Sequence, residues 1–328
     1  MSISESMKAL KPGAVLVSLF FTATAAWGDA VELYKAQTGP YPPAVATPVE
    51  IAIPERNRTL ILRLSYPTGA GVFPLIVFFH GALCSANGYA ALADHWASHG
   101  YVVILPSHPE SGSSGRPDPD QQNKIFFEQV ADMSSVLDSL DAIEARVEPL
   151  RDAIDSARVA AAGHSMGALI ATIVSGMERL DSDGRRLNLR DDRFDVAVLL
   201  SGPGPLPLTP DDAWDSVTVP TLVTTGTRDH ANRGGEGATW EWRLGAFRLT
   251  PSGDKFGLVI DEADHFLGGM ICAERAGGSP DREAFAILKS VSTAFLDAYL
   301  KPDAAARAYL NDAAVSGASN GRAELLSR

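Results

Sequence analysis

The stretch "AAAGHSMGALIA", residues 160–171, places Ser165 between two glycines where two apolar segments meet. The preceding "RVAAAG" is short, small and apolar, which is typical of a central parallel strand buried on both faces. The following "MGALIATIVSGM" carries apolar residues at helical spacing and predicts a helix packed on a sheet. Side chains at Gly163 or Gly167 would collide with neighbouring backbone in so sharp a turn. A strand, a strained turn and a helix are the setting of an exposed nucleophile, so Ser165 is interpreted as one rather than as a buried structural serine.

Eight strand-like runs and the helical patterns between them indicate the fold class. The first two runs are joined only by "ERN" and predict an antiparallel hairpin. The later runs alternate with helical patterns at about 88–99, 124–147, 166–180 and 282–300. The pattern predicts an α/β protein with a mostly parallel, eight-stranded, doubly wound sheet. The runs are residues 49–54, 59–67, 73–81, 101–106, 158–163, 194–202, 220–227 and 255–261.

The chain divides into three predicted parts. With 328 residues, 45% hydrophobic and 21% charged, it is globular and can bury a sizeable core. No repeat or linker splits it, so residues 29–302 form one predicted catalytic domain. Residues 303–328 are expected to hold a short Ala-rich helix and a polar, fraying end.

Residues 1–28 have the pattern of a signal peptide. Lys8 and Lys11 precede the apolar run 14–26, and "AWG" stands before Asp29 as a cleavage site, with cleavage after Ala25 as an alternative. A membrane anchor would need about 20 apolar residues, more than this run offers. The protein is therefore expected to be secreted or periplasmic, with no stable membrane span after cleavage.

The chain is acidic, with a net charge of −12; without residues 1–28 it keeps 26 basic and 39 acidic side chains, a net charge of −13. Such a surface repels nucleic acid and anionic membranes and suits neutral or amphipathic substrates. No nucleic-acid partner is expected, and the chain is expected to be a monomer or a weak dimer. No histidine or cysteine spacing suits a metal and no Gly-rich loop suits a nucleotide, so no cofactor is predicted.

Three polar residues follow predicted strands and together make a catalytic triad. Ser165 follows the fifth strand, Asp229 the seventh and His265 the eighth, and sites in open parallel sheets form at the carboxyl ends of strands. A serine hydroxyl needs an imidazole base, and the imidazole needs a carboxylate to orient it. Asp261 and Asp264 share the loop of His265 and are poorly placed to orient its ring. The remaining histidines rank lower as the base, with His95 and His99 on a predicted surface helix.

An oxyanion site completes this chemistry and needs two backbone N–H groups. Met166, at the start of the predicted helix, supplies one. The loop "FFHGALCS" after the third strand supplies the other from Ala82 or Leu83, because Gly81 lets the backbone turn.

These motifs resemble those of secreted α/β-hydrolases over about residues 49–300. "HGALCSANGYAALADHWASHGYVVILPSHPESG", "GHSMGA" and "TRDH" are similar to the branch that holds platelet-activating-factor acetylhydrolases, dienelactone-hydrolase-like proteins, chlorophyllases and cutinase-type polyester hydrolases. Two positions depart from the pattern: Ala168 stands where many relatives have glycine, and "SHPESG" where an Asp-His opening is frequent. Neither departure touches the triad, but both leave the subfamily open.

The two cysteines, Cys84 and Cys272, are expected at the same edge of the sheet, one beyond the oxyanion turn and one seven residues past His265. Export permits a disulfide between them, whereas two separately buried thiols remain the alternative.

The predicted pocket is open, because only residues 203–219 separate the sixth and seventh strands, which is too few for a multi-helix lid. Leu83, Trp240, Trp242 and Phe266 are its expected substrate-binding walls, although the tryptophans are equally typical of helix packing.

The predicted function is a serine carboxylesterase that works through an acyl-enzyme on a small-molecule or polymeric ester. Activity should fall with acidity at about pH 6–7, as the imidazole takes up a proton. Lipase-like, phospholipid-acyl or polyester hydrolysis is an alternative within this chemistry. A binding protein that kept the fold without turnover is an alternative from another class.

Overall fold

A nine-stranded sheet forms the centre of the molecule. The computed structural model describes residues 32–107, 119–230 and 239–328; the predicted signal peptide lies outside these residues. The sheet strands are β1 (Pro43–Ile53), β2 (Arg58–Pro67), β3 (Phe73–Phe79), β4 (Val102–Ser107), β5 (Ile154–His164), β8 (Val196–Leu200), β9 (Thr221–Gly226), β10 (Lys255–Ile260) and β11 (Ala323–Ser327), and a separate two-stranded ribbon is formed by β6 (Arg179–Leu180) and β7 (Arg186–Leu187).

The strand order confirms a mostly parallel, doubly wound α/β fold. The order is β1-β2-β4-β3-β5-β8-β9-β10-β11, with six parallel strands from β4 to β10 in the middle. The β1–β2 hairpin adds to one edge and β11 to the other, both antiparallel. Every residue of β3, β8, β9 and β10 is buried, as is typical of parallel strands covered on both faces.

Helices cover both faces of the sheet, and each face has its own apolar core. On one face lie α2 (Pro119–Asp138), α3 (Leu140–Arg146), α4 (Met166–Val174) and α5 (Gly245–Leu249); on the other lie α1 (Ala90–Ser98), α6 (Arg282–Leu300), α7 (Ala304–Tyr309) and α8 (Asp312–Ala318). Among the described residues, no helix is both long enough and apolar enough to cross a membrane.

The ninth strand, β11, is the feature of the sheet that the sequence did not predict. The C-terminal segment was expected to fray, but Ala323–Ser327 pairs with β10 and buries Leu325 to 2% exposure. The backbone N–H of Asp261 also donates to the carbonyl of Arg322 at 2.8 Å. Ala323–Ser327 is too short to show a strand pattern in the sequence, and its pairing with β10, which is distant in the chain, makes it a strand.

His95 and His99 are buried rather than exposed, which corrects their predicted position on a surface helix. His95 Nε2 lies 3.1 Å from Thr293 Oγ1 on α6, and His99 Nε2 lies 2.9 Å from the carbonyl of Gln37. The two rings contact each other edge to face. Burial, with the neighbouring His99 and Lys289 charges, lowers the pKa of His95 to about 3.

This burial predicts acid sensitivity of the fold. Unfolding exposes His95 and returns its affinity for protons to the ordinary value, so the unfolded state takes up protons first as the pH falls below about 6.5. The free energy of unfolding should fall by up to about 1.4 kcal/mol per pH unit from this group. Urea unfolding of the His95→Gln variant between pH 7 and 4.5 should show a shallower slope than the wild type. The exposed His230→Gln is the control; equal slopes in all three proteins would contradict the assignment.

Candidate active site

The serine elbow is a point of close backbone approach. Strand β5 ends at His164, α4 begins at Met166, and Ser165 between them has a φ of 56° and a ψ of −114°. A Cβ at Gly167 would lie 2.1 Å from the carbonyl oxygen of Phe79, and one at Gly163 would lie 2.3 Å from the backbone of Gly167. The Ser165 N–H donates to the carbonyl of Leu200 at 2.8 Å. The strained φ is therefore held from both sides, and Ser165 stands at the tip of the turn.

His265 and Asp229 form a hydrogen-bonded pair at the same edge of the sheet. His265 Nδ1 lies 2.8 Å from Asp229 Oδ1, with Asp229 fully buried and His265 partly exposed. The two rival carboxylates have other partners. Asp261 Oδ1 accepts from Thr227, and Asp264 Oδ1 accepts the backbone N–H groups of its own turn. Of the three aspartates, Asp229 is the one that contacts the imidazole.

The carboxylate of Asp229 also contacts a buried arginine, Arg243, which the sequence analysis missed. Arg243 Nε lies 3.1 Å from Asp229 Oδ1. Burial by itself raises the pKa of Asp229, but the hydrogen bond with His265 and the charges of His265 and Arg243 outweigh it and hold that pKa below its usual value. Asp229 is therefore ionised at neutral pH, which its predicted role as the orienting carboxylate requires.

His164 connects the elbow to the loops on either side of it. The Gly81 N–H donates to Tyr89 Oη at 3.0 Å, and Tyr89 Oη lies 2.7 Å from His164 Nδ1. His164 Nε2 lies 2.9 Å from the carbonyl oxygen of His265. Complete burial holds the pKa of His164 well below its usual value, so the ring is neutral. Tyr89 thus donates to Nδ1, and Nε2–H donates to the carbonyl of the loop that carries His265.

The predicted oxyanion loop is a tight turn after β3. The Cys84 N–H donates to the Gly81 carbonyl at 3.1 Å, and Leu83 takes a φ of 63° in this turn. Ala82 and Leu83 are exposed at its tip. Met166 is the first residue of α4, where backbone N–H groups have no partner within the helix.

A disulfide joins the predicted oxyanion loop to the loop that carries His265, called the histidine loop below. Cys84 and Cys272 are bonded, with Cα atoms 5.4 Å apart and a sequence separation of 188. Around this bond, the Cys272 N–H donates to the Gly88 carbonyl at 2.8 Å, and Ser85 Oγ donates to Glu274 at 2.5 Å. The two loops therefore form one connected rim.

The four residues predicted to line the pocket differ in their contacts and exposure. The Phe266 ring lies 4.8 Å from that of His265 and 6.0 Å from that of His164. Trp242 Nε1 donates to the Pro205 carbonyl at 3.3 Å, so this ring packs on the loop after β8, and Trp240 is partly buried against the core. Leu83 is 52% exposed. The connection from 201 to 220 contains turns but no helix.

The strand order and the strand–Ser165–helix turn together are those of the α/β-hydrolase fold. A family model described as Chlorophyllase matches residues 36–180, which include the oxyanion loop and the elbow. The chain is similar to Chlorophyllase-1 of Arabidopsis thaliana, with 40% identity over 45 residues, 14% of each chain. The chain is therefore similar to the chlorophyllase and cutinase branch that its sequence motifs indicate.

The cutinase similarity is longer but lower in identity. Cutinase 1 of Thermobifida cellulosilytica is 26% identical over 201 residues, 58% of this chain and 60% of the relative. The cutinase of Thermobifida fusca (strain YX) has the same identity over 58% of this chain and 52% of its own length. The chain thus spans at most 60% of the length of these three curated relatives.

The close approach at the elbow predicts that Gly167→Ala is strongly destabilising. The new Cβ would overlap the Phe79 carbonyl, and backbone on both sides cannot move away. We expect a loss of about 1–3 kcal/mol in the free energy of unfolding and a loss of the predicted esterase activity. Gly277→Ala, which meets nothing within 4 Å, is the control and should stay within about 0.5 kcal/mol. Urea unfolding measures both; equal stability of the two variants would contradict the steric argument.

The disulfide predicts sensitivity to reductant. Because it closes a loop of 188 residues, its loss should cost about 2–4 kcal/mol and lower the melting temperature. Calorimetry with and without a phosphine reductant measures the shift. The Cys84→Ser/Cys272→Ser double variant should melt where the reduced wild type does and should not respond to reductant. A melting temperature unaffected by reduction would show that the bond does not stabilise the fold.

Proposed function

We propose that the chain is a serine carboxylic-ester hydrolase that works through an acyl-enzyme intermediate. The observation that carries this proposal is the Asp229–His265 hydrogen bond beside an elbow that presents Ser165. The similarity to chlorophyllases and cutinases supports the same reaction class.

In this mechanism Ser165 Oγ attacks the ester carbonyl while His265 Nε2 takes the hydroxyl proton. The resulting imidazolium is stabilised by Asp229 through Nδ1 and gives its proton to the departing alkoxide, which leaves as an alcohol. A water molecule then attacks the acyl-enzyme, again with His265 as base, and releases the carboxylic acid and the free serine.

The backbone N–H groups of Ala82 and Met166 hold the oxyanion. Gly81 is less suited to this role because its N–H donates to Tyr89. The positive end of α4 adds to the stabilisation at Met166, since negative charge is favoured at a helix N-terminus.

The proposed substrates are neutral or amphipathic esters with an apolar acyl or aromatic portion. The acidic chain disfavours anionic substrates, and Leu83 and Phe266 offer apolar surface near the site. Hydrolysis of a polymeric ester is the second candidate, favoured by a 201–220 connection without a helix and by the cutinase similarity. Lipase-like or phospholipid-acyl hydrolysis uses the same machinery.

We further propose that residues 1–28 are removed on export and that the protein acts in the periplasm or outside the cell. The Cys84–Cys272 disulfide supports this location, because such bonds persist in oxidising compartments.

Hydrolysis of a p-nitrophenyl ester series from acetyl to palmitoyl, by the protein and its Ser165→Ala variant, tests the proposal. We expect turnover that falls at least about 10³-fold in the variant, because the nucleophile is lost. The preferred chain length then separates short-chain esterase from lipase-like activity, and release of acid from a polyester film tests the second candidate. Equal rates in the two proteins would refute the serine mechanism, and binding of esters without turnover in either would favour a binding protein.

A further inference from the structure

One oxygen of Asp229 carries two charged partners. Oδ1 is hydrogen-bonded to His265 Nδ1 at 2.8 Å and paired with Arg243 Nε at 3.1 Å. Its other oxygen, Oδ2, lies 3.5 Å from Thr225 Oγ1, and the Ser201 side chain also hydrogen-bonds the carboxylate. The proposed base and a permanent cation therefore lie against the same carboxylate oxygen.

Arg243 is held in place by groups other than Asp229. Its Nη1 donates to the Ser201 carbonyl at 3.1 Å, and its guanidinium lies 5.4 Å from the Trp242 ring. Its side chain is 9% exposed and that of Asp229 is 0% exposed, so water screens their interaction poorly. An arginine keeps its charge at any pH relevant to an enzyme, and its planar fork fixes the direction of each contact.

We propose that Arg243 is a positioning residue of the active site, which aims the Asp229 carboxylate at His265 and sets the pH range in which the Asp229–His265 pair works. This inference rests on the proposed serine esterase function. Arg243 does not contact a reacting atom, so it acts only through Asp229.

His265 and Arg243 compete for the negative charge of Asp229. When the pair takes up a proton, a positive charge forms on the imidazole beside the same oxygen that already neutralises Arg243. The fixed cation disfavours this extra charge, so the pair stays in its active, unprotonated form to lower pH than it would with Asp229 alone. The protonation belongs to the pair as a unit, whichever of the two residues holds the proton.

Other ionisable groups near the pair do not replace this cation. His164, whose ring lies 4.6 Å from that of His265, is neutral. Asp264 is turned to the backbone of its own loop, and Arg228 is paired with Glu262 at the exposed surface.

The experiment compares two variants of Arg243. Arg243→Met removes the positive charge, whereas Arg243→Lys keeps the charge but loses the planar guanidinium group. The measurement is kcat/KM for a p-nitrophenyl ester from pH 4.5 to 9, normalised to sites titrated with an organophosphonate. The acidic limb is the part of the pH profile of kcat/KM in which activity falls as the pH decreases. We expect this limb to lie about one pH unit higher in Arg243→Met than in the wild type. In Arg243→Lys the limb should stay within about 0.3 units of the wild type, while the plateau falls several-fold because one contact is lost.

Arg58→Met is the matched control, because it removes an arginine of the edge hairpin from another buried carboxylate, that of Asp132 on α2. The acidic limb of the Arg58→Met pH profile should lie at the same pH as that of the wild type. A drop in plateau and melting temperature for Arg243→Met without a shift of the limb would overturn the inference and leave Arg243 as a structural residue. A wild type without Ser165-dependent turnover would instead refute the proposed function itself, so the two failures are distinguishable.

Discussion

The close approach of three backbone segments at the elbow is the constraint on which the active site depends. Strand β5, the first turn of α4 and the end of β3 meet with only hydrogen atoms at positions 163 and 167 to separate them. This contact fixes where β5 stops and where the α4 amides point, and it forces Ser165 into a φ that a serine rarely adopts. Packing of the whole sheet supplies the energy that maintains this strain.

Polar contacts then position the remaining parts relative to the elbow. The neutral His164 ring of the elbow is hydrogen-bonded to Tyr89 on one side and to the His265 carbonyl on the other. The elbow, the segment that carries Tyr89 and the loop that carries His265 therefore meet at this side chain. Asp229 is oriented by a different set of groups, among them the buried Arg243. Orientation of the proposed base, His265, thus depends on side chains that would not touch the substrate, as is common where supporting residues hold a rigid site in place.

Sequence reasoning found what local patterns and strand ends determine, and missed what distant packing determines. The strand, turn and helix around Ser165 are visible in twelve residues, and Asp229 and His265 follow apolar strands directly. Arg243 was missed because its partner lies 14 residues earlier in the chain and only folding brings the two together. His95 was misplaced for a similar reason, since α6 covers a helix face that a single segment cannot show to be covered.

The disulfide between the oxyanion and histidine loops has a consequence for chain integrity. Any peptide bond cut between residues 84 and 272 would leave two fragments that remain covalently attached within the active site. Attached fragments face each other at a high effective concentration, so the sheet can hold together around the break. In a compartment rich in proteases, a nicked molecule would then keep Ser165, His265 and the loop of Cys84 in one particle.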